Sequence, residues 1–404
     1  MAKRILYINE SLNTGSTGHI VEHLGLAAQE AGYECAVAHG ARYVRPSRLP
    51  HIGFSSVLEE YSHGLLSLCG NAHGLGSYRA TKRLIAYMEQ FQPSIIHLHN
   101  IHGYYLHYPL LFAWLKSHAV PVIWTLHDCW PMTGRCAYFT AQGCDQWQTL
   151  CHNCPIYSDY PRSLVHAGTI RNYRHKKEAF TQVENLTLVS VSRWLEEIAQ
   201  RSYLSAYPVQ TIYNGIDTTL FRPTESDWRS RWKAEQKIIL MGVASQWTET
   251  KGWSDWLQLA RRLDDRYLIV MVGVTEKQRK VLPANCIGLP RTDDLTQLAQ
   301  LYSAADIYVN MAHQEAFGLT IVEAMACGTP CVSYRTTAIP ELVTPDVCTC
   351  VPDGDIDGIK QAIETYGRQA KQEKSAACQA HVSSRFDEKK SINRYFDLYT
   401  RLIS

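Results

Sequence analysis

Short, uniformly apolar runs recur through the first half of the chain, with stretches of helical periodicity between them. The runs are rich in Val, Ile and Leu and do not alternate with polar residues, a pattern typical of strands buried on both faces of a parallel sheet. This half is therefore predicted to form a doubly wound α/β unit. The predicted strands are residues 4–8, 35–38, 95–99, 121–126 and 186–191.

The same alternation restarts after residue 215, so the simplest prediction is two doubly wound units in tandem. The turn-forming residues Pro208 and Pro223 bracket the predicted boundary between them. The second set of predicted elements comprises strands 238–243, 267–274, 306–311 and 330–333 and helices 253–263 and 295–302.

Two stretches do not fit this alternation. Residues 42–80 carry Pro, Gly, His and aromatic residues with weak periodicity, which predicts a mobile loop or short helices. Residues 129–165 form a long insertion after a predicted strand. Loops longer than about 15 residues in a compact domain are usually functional or held together separately.

Composition and charge exclude several classes of protein. The chain has 404 residues, 40 Lys and Arg against 38 Asp and Glu, and 46% hydrophobic residues. This is an ordinary globular composition, and a net charge of +2 gives no reason to expect nucleic acid as a partner. The first residues predict a strand rather than a secretion signal, so we expect a cytoplasmic protein whose 13 cysteines are mostly reduced.

The insertion contains a cluster of four cysteines. Cys136, Cys144, Cys151 and Cys154 follow the spacing C-x7-C-x6-C-x2-C. Four thiolates closing a short loop match a structural tetrahedral zinc site in type and number. The alternative is a set of buried free thiols or a redox pair.

The segment EAFGLTIVEAMACGTP at residues 315–330 is the most specific feature of the sequence. It follows a predicted strand and predicts a helix beginning near Gly318. The free N–H groups of the first helical turn would form a site for a phosphate or a developing negative charge. Glu315 would lie beside that site, and Glu323 could accept hydrogen bonds from a ribose. The alternative is a pair of solvated glutamates flanking an ordinary helix.

Two glutamates seven residues apart in this context resemble the signature of retaining glycosyltransferases of the GT-B fold, family 4. Three further segments match in the expected order, and the resemblance covers essentially the whole chain. A narrower resemblance, to colanic acid and exopolysaccharide glycosyltransferases of the WcaC type, lies in WTLHDCWPMTGRC at residues 124–136. The three family segments are YNGID at residues 213–217, Lys251 with Gly252, and Val272 with Gly273.

The resemblance implies an α/β GT-B fold with two Rossmann-like parallel-sheet domains facing a cleft. Residues 1–208 would bind the acceptor and residues 209–384 the nucleotide sugar. The final helix, residues 385–404, would cross back to the first domain. Implied catalytic residues are His127, Lys251 and Glu315. Implied donor-binding residues are Gly15, Gly18, Ser245, Lys251, Gly273, Phe317, Gly318, Leu319, Thr320 and Glu323.

Carried over by the same resemblance, Lys251 contacts the donor diphosphate, Glu315 the sugar hydroxyls and Glu323 the ribose. The family usually has an arginine shortly before the lysine, and residues 242–247 contain none. Ser245 or Gln246 would donate a neutral hydrogen bond instead, or an arginine would arrive from elsewhere. No catalytic metal is expected, because a suitable Asp-x-Asp segment is missing from the sequence.

The expected reaction is retaining transfer of a hexose from a UDP- or GDP-sugar to a glycan, such as a lipid-linked intermediate of surface polysaccharide synthesis. The alternatives are a catalytically idle GT-B protein that binds nucleotide or glycan, and an epimerase or hydrolase on the same fold. The basic stretch 171–177 is either a solvated helix face or an aid to peripheral association with the inner face of the cell membrane.

Four histidines, His97, His99, His102 and His107, stand close together in the sequence. Histidines near a strand end are more often hydrogen-bonded residues of a site wall than metal ligands, so we interpret them as wall residues. The segment 99–105 is also a candidate loop on the acceptor side.

Overall fold

The protein is represented by a computed structural model that describes residues 3–156, 159–165 and 167–403. The chain divides into two compact units. The first comprises Met1–Ile212 with Ile392–Ser404, and the second comprises Tyr213–Ser391. The predicted domain boundaries at residues 208 and 384 lie several residues before these divisions.

The first unit is built on a seven-stranded parallel sheet of order β3-β2-β1-β4-β5-β6-β7. Its five inner strands confirm the predicted strands, whereas the two edge strands of three residues each are too short for the apolar pattern to reveal. The strands are β1 (Arg4–Asn9), β2 (Glu34–His39), β3 (His51–Gly53), β4 (Ile95–Leu98), β5 (Val122–Leu126), β6 (Leu186–Ser190) and β7 (Val209–Thr211).

Helices pack against this sheet. They are α1 (Gly15–Glu30), α2 (Val57–Gly70), α3 (Tyr78–Phe91), α4 (Tyr108–Ser117), α5 (Thr169–Phe180) and α6 (Arg193–Gln200). The core of the unit also includes Tyr395, Leu398 and Tyr399 from the last helix of the chain. Those residues are apolar or aromatic at helical spacing, so one face of that helix is buried here.

The weak periodicity of the stretch 42–80 predicted a mobile loop or short helices, and the structure has helices there. The stretch contains β3, the fourteen-residue helix α2 and the start of α3. A capping box starts α2, because Ser56 accepts from the Glu59 N–H while the Glu59 side chain accepts from the Ser56 N–H. The helical periodicity of α2 is weak in the sequence because much of its apolar side is exposed to solvent: Leu58 is 76% and Leu65 61% exposed.

The described residues of the insertion 129–165 form three short 3-10 turns, Trp130–Met132, Thr140–Gln142 and Gln146–Gln148. Phe139 and Trp147 stack with ring centroids 5.0 Å apart and are both buried. The insertion therefore has a small core of its own.

The second unit contains a six-stranded parallel sheet of order β10-β9-β8-β11-β12-β13. Four of the strands confirm the prediction, and the outer strands β10 and β13 were missed. They are β8 (Ile238–Val243), β9 (Tyr267–Val272), β10 (Cys286–Leu289), β11 (Ile307–Asn310), β12 (Cys331–Tyr334) and β13 (Cys348–Val351).

The helices numbered onward from the start of this unit are α7 (Trp228–Arg231), α8 (Trp253–Arg262), α9 (Glu276–Arg279), α10 (Leu295–Ala304), α11 (Leu319–Ala326), α12 (Ile339–Leu342), α13 (Ile356–Tyr366), α14 (Ala370–Arg385) and α15 (Glu388–Ile403). None of the helices within the described ranges is both long and apolar enough to cross a membrane.

Both sheets reverse their winding at one point, between β1 and β4 in the first unit and between β8 and β11 in the second. In doubly wound sheets, ligands bind outside the carboxyl ends of the strands at this switch point. We therefore expect ligand-binding residues in the loops after β1, β4, β8 and β11.

Candidate active site

The loops after β8 and β11 bring Lys251 and Glu315 together. Lys251 ends a 3-10 turn, Glu249–Lys251, and its Nζ donates to Glu315 Oε1 at 2.6 Å. Both side chains are half-buried. The two loops are tied to each other by the His313 N–H, which donates to the carbonyl of Thr250 at 2.9 Å. The ammonium is therefore held at the switch point of the second sheet.

Helix α11 begins beside this ion pair. Its N-cap is Gly318 at φ +107°, where a Cβ would lie 2.9 Å from Ile339 Cδ1, and no described side chain caps the helix. Phe317 is buried, with its ring centroid 6.1 Å from that of Tyr213. Since the first N–H groups of a helix lack partners within it, the N–H groups of Leu319 and Thr320 suit an anion.

Glu323 lies one turn into α11 and is half-buried. It accepts a hydrogen bond of 2.8 Å from the Tyr302 hydroxyl. Burial raises the pKa of Glu323 to about 7, against the weaker opposing effect of Tyr302. A carboxylate at this position gains from further hydrogen-bond donors such as ribose hydroxyls.

Gly273 follows β9 and allows the loop after β8 to approach closely. Its φ is +92°, and a Cβ there would lie 1.7 Å from the carbonyl oxygen of Ala244. The next residues, Ser245 and Gln246, have exposed side chains. In the described part of the chain, the hydrogen bonds of Lys251 and Glu315 involve no arginine. Which residue joins Lys251 in binding the diphosphate, an arginine from elsewhere or Ser245 or Gln246, therefore stays a prediction.

Sequence reasoning missed His313, whose ring lies beside the Lys251 loop. Its Nδ1 is 2.7 Å from Asp353 Oδ1 and its Nε2 is 3.4 Å from Asp255 Oδ2. Asp255 also accepts from the Tyr334 hydroxyl at 2.8 Å. The sequence could have indicated His313 only through its position, two residues before Glu315 in the loop after β11.

In the first unit, His127 follows β5 and contacts His99, which follows β4. The distance from His99 Nδ1 to His127 Nε2 is 3.0 Å. Burial lowers the pKa of His127 to about 4 and that of His99 well below its usual value, so both rings are neutral at neutral pH. The other nitrogen of His99, Nε2, is buried and has no hydrogen-bond partner among the described residues.

A second polar group lies at the same edge of this sheet. Asp128 Oδ2 is 2.8 Å from His102 Nε2, and His102 Nδ1 is 3.0 Å from the Tyr160 hydroxyl. Burial opposes the charge on His102, but Asp128 outweighs it and raises the pKa of the imidazole. Burial also raises the pKa of Glu10, which follows β1, to about 7. Sequence reasoning places His102 among the wall residues and in the candidate acceptor-side loop, but it names neither Glu10 nor Tyr160.

His97 is a hydrogen-bonded wall residue, as predicted. Its Nδ1 lies 2.8 Å from the Tyr399 hydroxyl and its Nε2 2.8 Å from Thr125 Oγ1. The glycine loop places Gly15 at the start of α1 with φ +67°, and Gly18 so close to Ser11 that a Cβ would lie 2.9 Å from its Oγ. The roles of Gly15 and Gly18 toward a donor remain predictions.

The four predicted zinc ligands line one small cavity in the insertion, although its sulfurs are not preassembled. The cavity is bounded by Cys136, Cys144, Cys151 and Cys154 together with Phe139, Trp147 and other residues. Over residues 3–156, 159–165 and 167–403, no group of three or more His, Cys, Asp or Glu side chains is already arranged to hold a metal ion.

The basic stretch 171–177 is only partly a solvated face. Arg171, Arg174 and Lys177 are exposed, but Lys176 is buried and donates to the Trp130 carbonyl at 2.7 Å. The prediction of a uniformly solvated basic face was therefore wrong at Lys176, because α5 turns that residue toward the insertion.

Two family models match the chain. The model described as Glycosyltransferase Family 4 matches residues 17–220, about half of the chain, and Glycosyl transferases group 1 matches residues 224–381. With the GT-B arrangement of two parallel sheets, these matches identify the chain as a member of the family 4 glycosyltransferases.

Particular relatives match over shorter regions. The putative colanic acid biosynthesis glycosyl transferase WcaC of Escherichia coli K12 is 39% identical over 74 residues, which are 17% of this chain and 18% of the relative. The D-inositol 3-phosphate glycosyltransferase of Thermobifida fusca is 28% identical over 182 residues, 39% of this chain and 42% of the relative. The chain thus aligns with less than half the length of these relatives.

Solved structures match the fold over its full length. A sucrose-phosphate synthase from Thermosynechococcus elongatus has a TM-score of 0.73 at 17% identity, covering 99% of both chains. Anabaena HepE in complex with UDP and glucose has a TM-score of 0.69 at 16% identity, covering 99% of this chain and 100% of that one. At these identities, the likeness establishes the GT-B fold.

Proposed function

We propose that this protein transfers a hexose from a UDP- or GDP-sugar to a glycan acceptor with retention of anomeric configuration. The observation that supports the donor half of this proposal is the arrangement in the second unit. Lys251, Glu315, the start of α11 and Glu323 offer, in one unit, groups suited to a diphosphate, a sugar and a ribose.

The chemistry of the leaving group explains why these residues would accelerate transfer. Negative charge builds on the departing nucleoside diphosphate, so the Lys251 ammonium and the N–H groups of Leu319 and Thr320 would stabilise the transition state more than the ground state. Glu315 would hold sugar hydroxyls, and Glu323 the ribose. The leaving phosphate would take the acceptor proton as the acceptor attacks from the same face of the sugar.

The first unit would supply the acceptor side. His127 has an imidazole kept neutral by burial, and because its Nε2 contacts His99, its Nδ1 is the nitrogen that would meet a ligand. We assign it to a sugar hydroxyl near the reacting carbon. His99, which contacts His127, has a buried Nε2 with no hydrogen-bond partner among the described residues. A sugar hydroxyl bound at this edge of the sheet would supply that partner.

The proposed acceptor is a lipid-linked intermediate of surface polysaccharide synthesis, reached in the cytoplasm at the inner face of the cell membrane. The similarity to WcaC supports this class of acceptor over the segment that aligns. A surface of the first unit also suits a membrane: α2 exposes Leu58, Tyr61 and Leu65. Arg171 Nη2 donates to the carbonyls of Gly70 and Asn71, which places a cation at the carboxyl end of α2.

A transfer assay with labelled UDP- and GDP-hexoses tests the proposal, with bacterial lipid-linked glycans as acceptors and NMR of the new linkage. Retention in a glycan product supports it. Donor binding without any product would favour a catalytically idle protein. An altered sugar or free sugar formed without acceptor would favour an epimerase or a hydrolase.

A further inference from the structure

Four thiols converge on one small cavity in the insertion. Cys136 and Cys151 are 6% and 7% exposed, and Cys144 and Cys154 are half-buried. The cavity that they line has a volume of about 10 Å³, close to the space needed by one water-sized occupant. All four cysteines are unpaired by disulfides. Thiols from four separate points of one loop therefore surround room for a single ion.

Backbone N–H groups are directed at two of these sulfurs. The Gly134 N–H donates to Cys151 Sγ at 3.2 Å, and the Ile156 backbone hydrogen-bonds to Cys154. At Gly134 a Cβ would lie 2.8 Å from the Cys151 Cβ, so a side chain there would push this sulfur away. Such hydrogen bonds around a metal's ligands orient the sulfurs and favour their charged form.

Two buried basic side chains lie next to the cluster. Lys176 is 1% exposed, and its Nζ lies 3.5 Å from the centre of the Trp130 ring. Arg135 is 2% exposed and donates to the Pro161 carbonyl. Lys176 interacts electrostatically with Cys136 and Cys151, and Arg135 with Cys136 and Cys154. Burying a cation is costly unless negative charge lies near it.

We propose that Cys136, Cys144, Cys151 and Cys154 bind one structural zinc ion as four thiolates. A divalent ion with four thiolates carries a double negative charge, which Lys176 and Arg135 would offset. The sulfurs must close inward, since they are not preassembled as ligands, and each would come to about 2.3 Å from the ion. The cavity between them leaves the room for this movement.

Zinc would fix the part of the insertion that borders the polar edge of the first sheet. Tyr160 lies six residues after Cys154, and its hydroxyl contacts His102 and His73. An anchored Cys154 would therefore lie only six residues from Tyr160 in the sequence. This role is independent of the proposed transfer reaction, because it concerns the folding of the insertion.

The test measures metal content in the full-length protein purified with a phosphine reductant. Native mass spectrometry and elemental analysis are expected to give about one zinc ion per chain in the wild type and in Cys69→Ser, whose exposed thiol lies on α2. Cys151→Ser and Cys154→Ser are expected to lose it. Lys176→Met is expected to keep the four sulfurs but to release zinc to a chromogenic chelator at a lower chelator concentration than the wild type.

Replacing zinc with Co²⁺ in the wild-type protein tests the same site without a cysteine variant, which could fail to fold. The wild type loaded with Co²⁺ is expected to show the sulfur-to-metal charge-transfer bands of tetrahedral thiolate coordination. A metal-free wild type that takes up neither ion and whose Tm does not respond to zinc would overturn the proposal. So would an intact mass showing that the four thiols are paired as disulfides.

Discussion

Lys251 and Glu315 form an ion pair at the switch point of the second sheet, with Nζ 2.6 Å from Oε1. The pair joins the loops after β8 and β11, which are distant in sequence. Glu315 already neutralises Lys251, so a donor diphosphate would compete with Glu315 for the ammonium. Glu315 would then be released toward the sugar, which is the exchange that the proposed mechanism needs.

Lys251→Met is expected to lower kcat by about 10²- to 10³-fold, the usual cost of removing one group that stabilises a developing negative charge. Methionine keeps much of the length of the side chain, so the loop should persist. Steady-state kinetics with saturating donor measure the effect. Lys280→Met, at an exposed lysine in the same unit, is the matched control. An unchanged kcat in Lys251→Met would contradict the assigned role.

Glu323→Gln is expected to change how stability depends on pH. The pKa of Glu323 is raised by burial from 4.5 to about 7, so the folded state holds this proton more tightly than the unfolded state. Wild-type stability is therefore lost as pH rises between these values, whereas the neutral glutamine avoids the loss. The Tm of the variant relative to wild type should rise from pH 5 to pH 8. A constant difference would contradict this account.

The same carboxyl should make donor affinity depend on pH in the opposite direction. The ionised Glu323 accepts more strongly from the ribose hydroxyls than the neutral acid does, so wild-type affinity should rise as pH increases through about 7. Glu323→Gln should bind the donor about tenfold or more weakly at pH 8, with little pH dependence. Calorimetric titration with an intact nucleotide sugar measures this, because its diphosphate does not titrate in that range.

Gly273→Ala is expected to destabilise the second unit by several kcal/mol, because the new Cβ would overlap the Ala244 carbonyl and the φ is positive. Thermal unfolding should show a Tm at least about 5 °C lower. Gly70→Ala is the control, since a Cβ at Gly70 meets nothing within 4 Å. Equal Tm values for the two variants would contradict the close approach of these loops.

Leu58→Glu with Leu65→Glu is expected to reduce binding to anionic phospholipid vesicles by about tenfold, since two exposed apolar side chains of α2 become charged. Vesicle flotation measures the bound fraction. Val281→Glu adds one negative charge, half of the change in the double variant, at a residue that is 60% exposed in the second unit, and it should leave binding unchanged. Equal losses in both proteins would point to net charge rather than to the α2 face.

The inner strands of both sheets could be predicted because parallel strands buried on both faces appear as continuous apolar runs. Edge strands such as β3 and β7 have only three residues, too few to form such a run. The region of helix α2 was left open between a mobile loop and short helices for a different reason: its apolar residues include Leu58 and Leu65, which are exposed and do not mark a core-facing stripe.

The proximity of Lys251 to Glu315 was predictable because the two residues lie in one short loop and one contiguous motif, whereas their roles toward a donor stay predictions. Lys251 and Glu315 meet as the order of the sequence motifs implies. The first unit was less predictable, since the contact of His102 with Asp128 and the electrostatic interaction of Glu10 with both residues depend on strand order. A sequence shows that residues follow strands, but not which strands are neighbours.

The most direct test of the central claim is a thermal-shift panel with UDP, GDP, ADP and their hexose conjugates on the wild type, Lys251→Met and Glu323→Gln. A ligand at a hundred times its Kd stabilises the folded state by about 2.7 kcal/mol. Nucleotides of one base are expected to raise the wild-type Tm, and both variants are expected to show smaller shifts, with about half of the wild-type stabilisation where the Kd is tenfold higher. No shift with any nucleotide, or equal shifts in all three proteins, would contradict a donor site at Lys251 and Glu323.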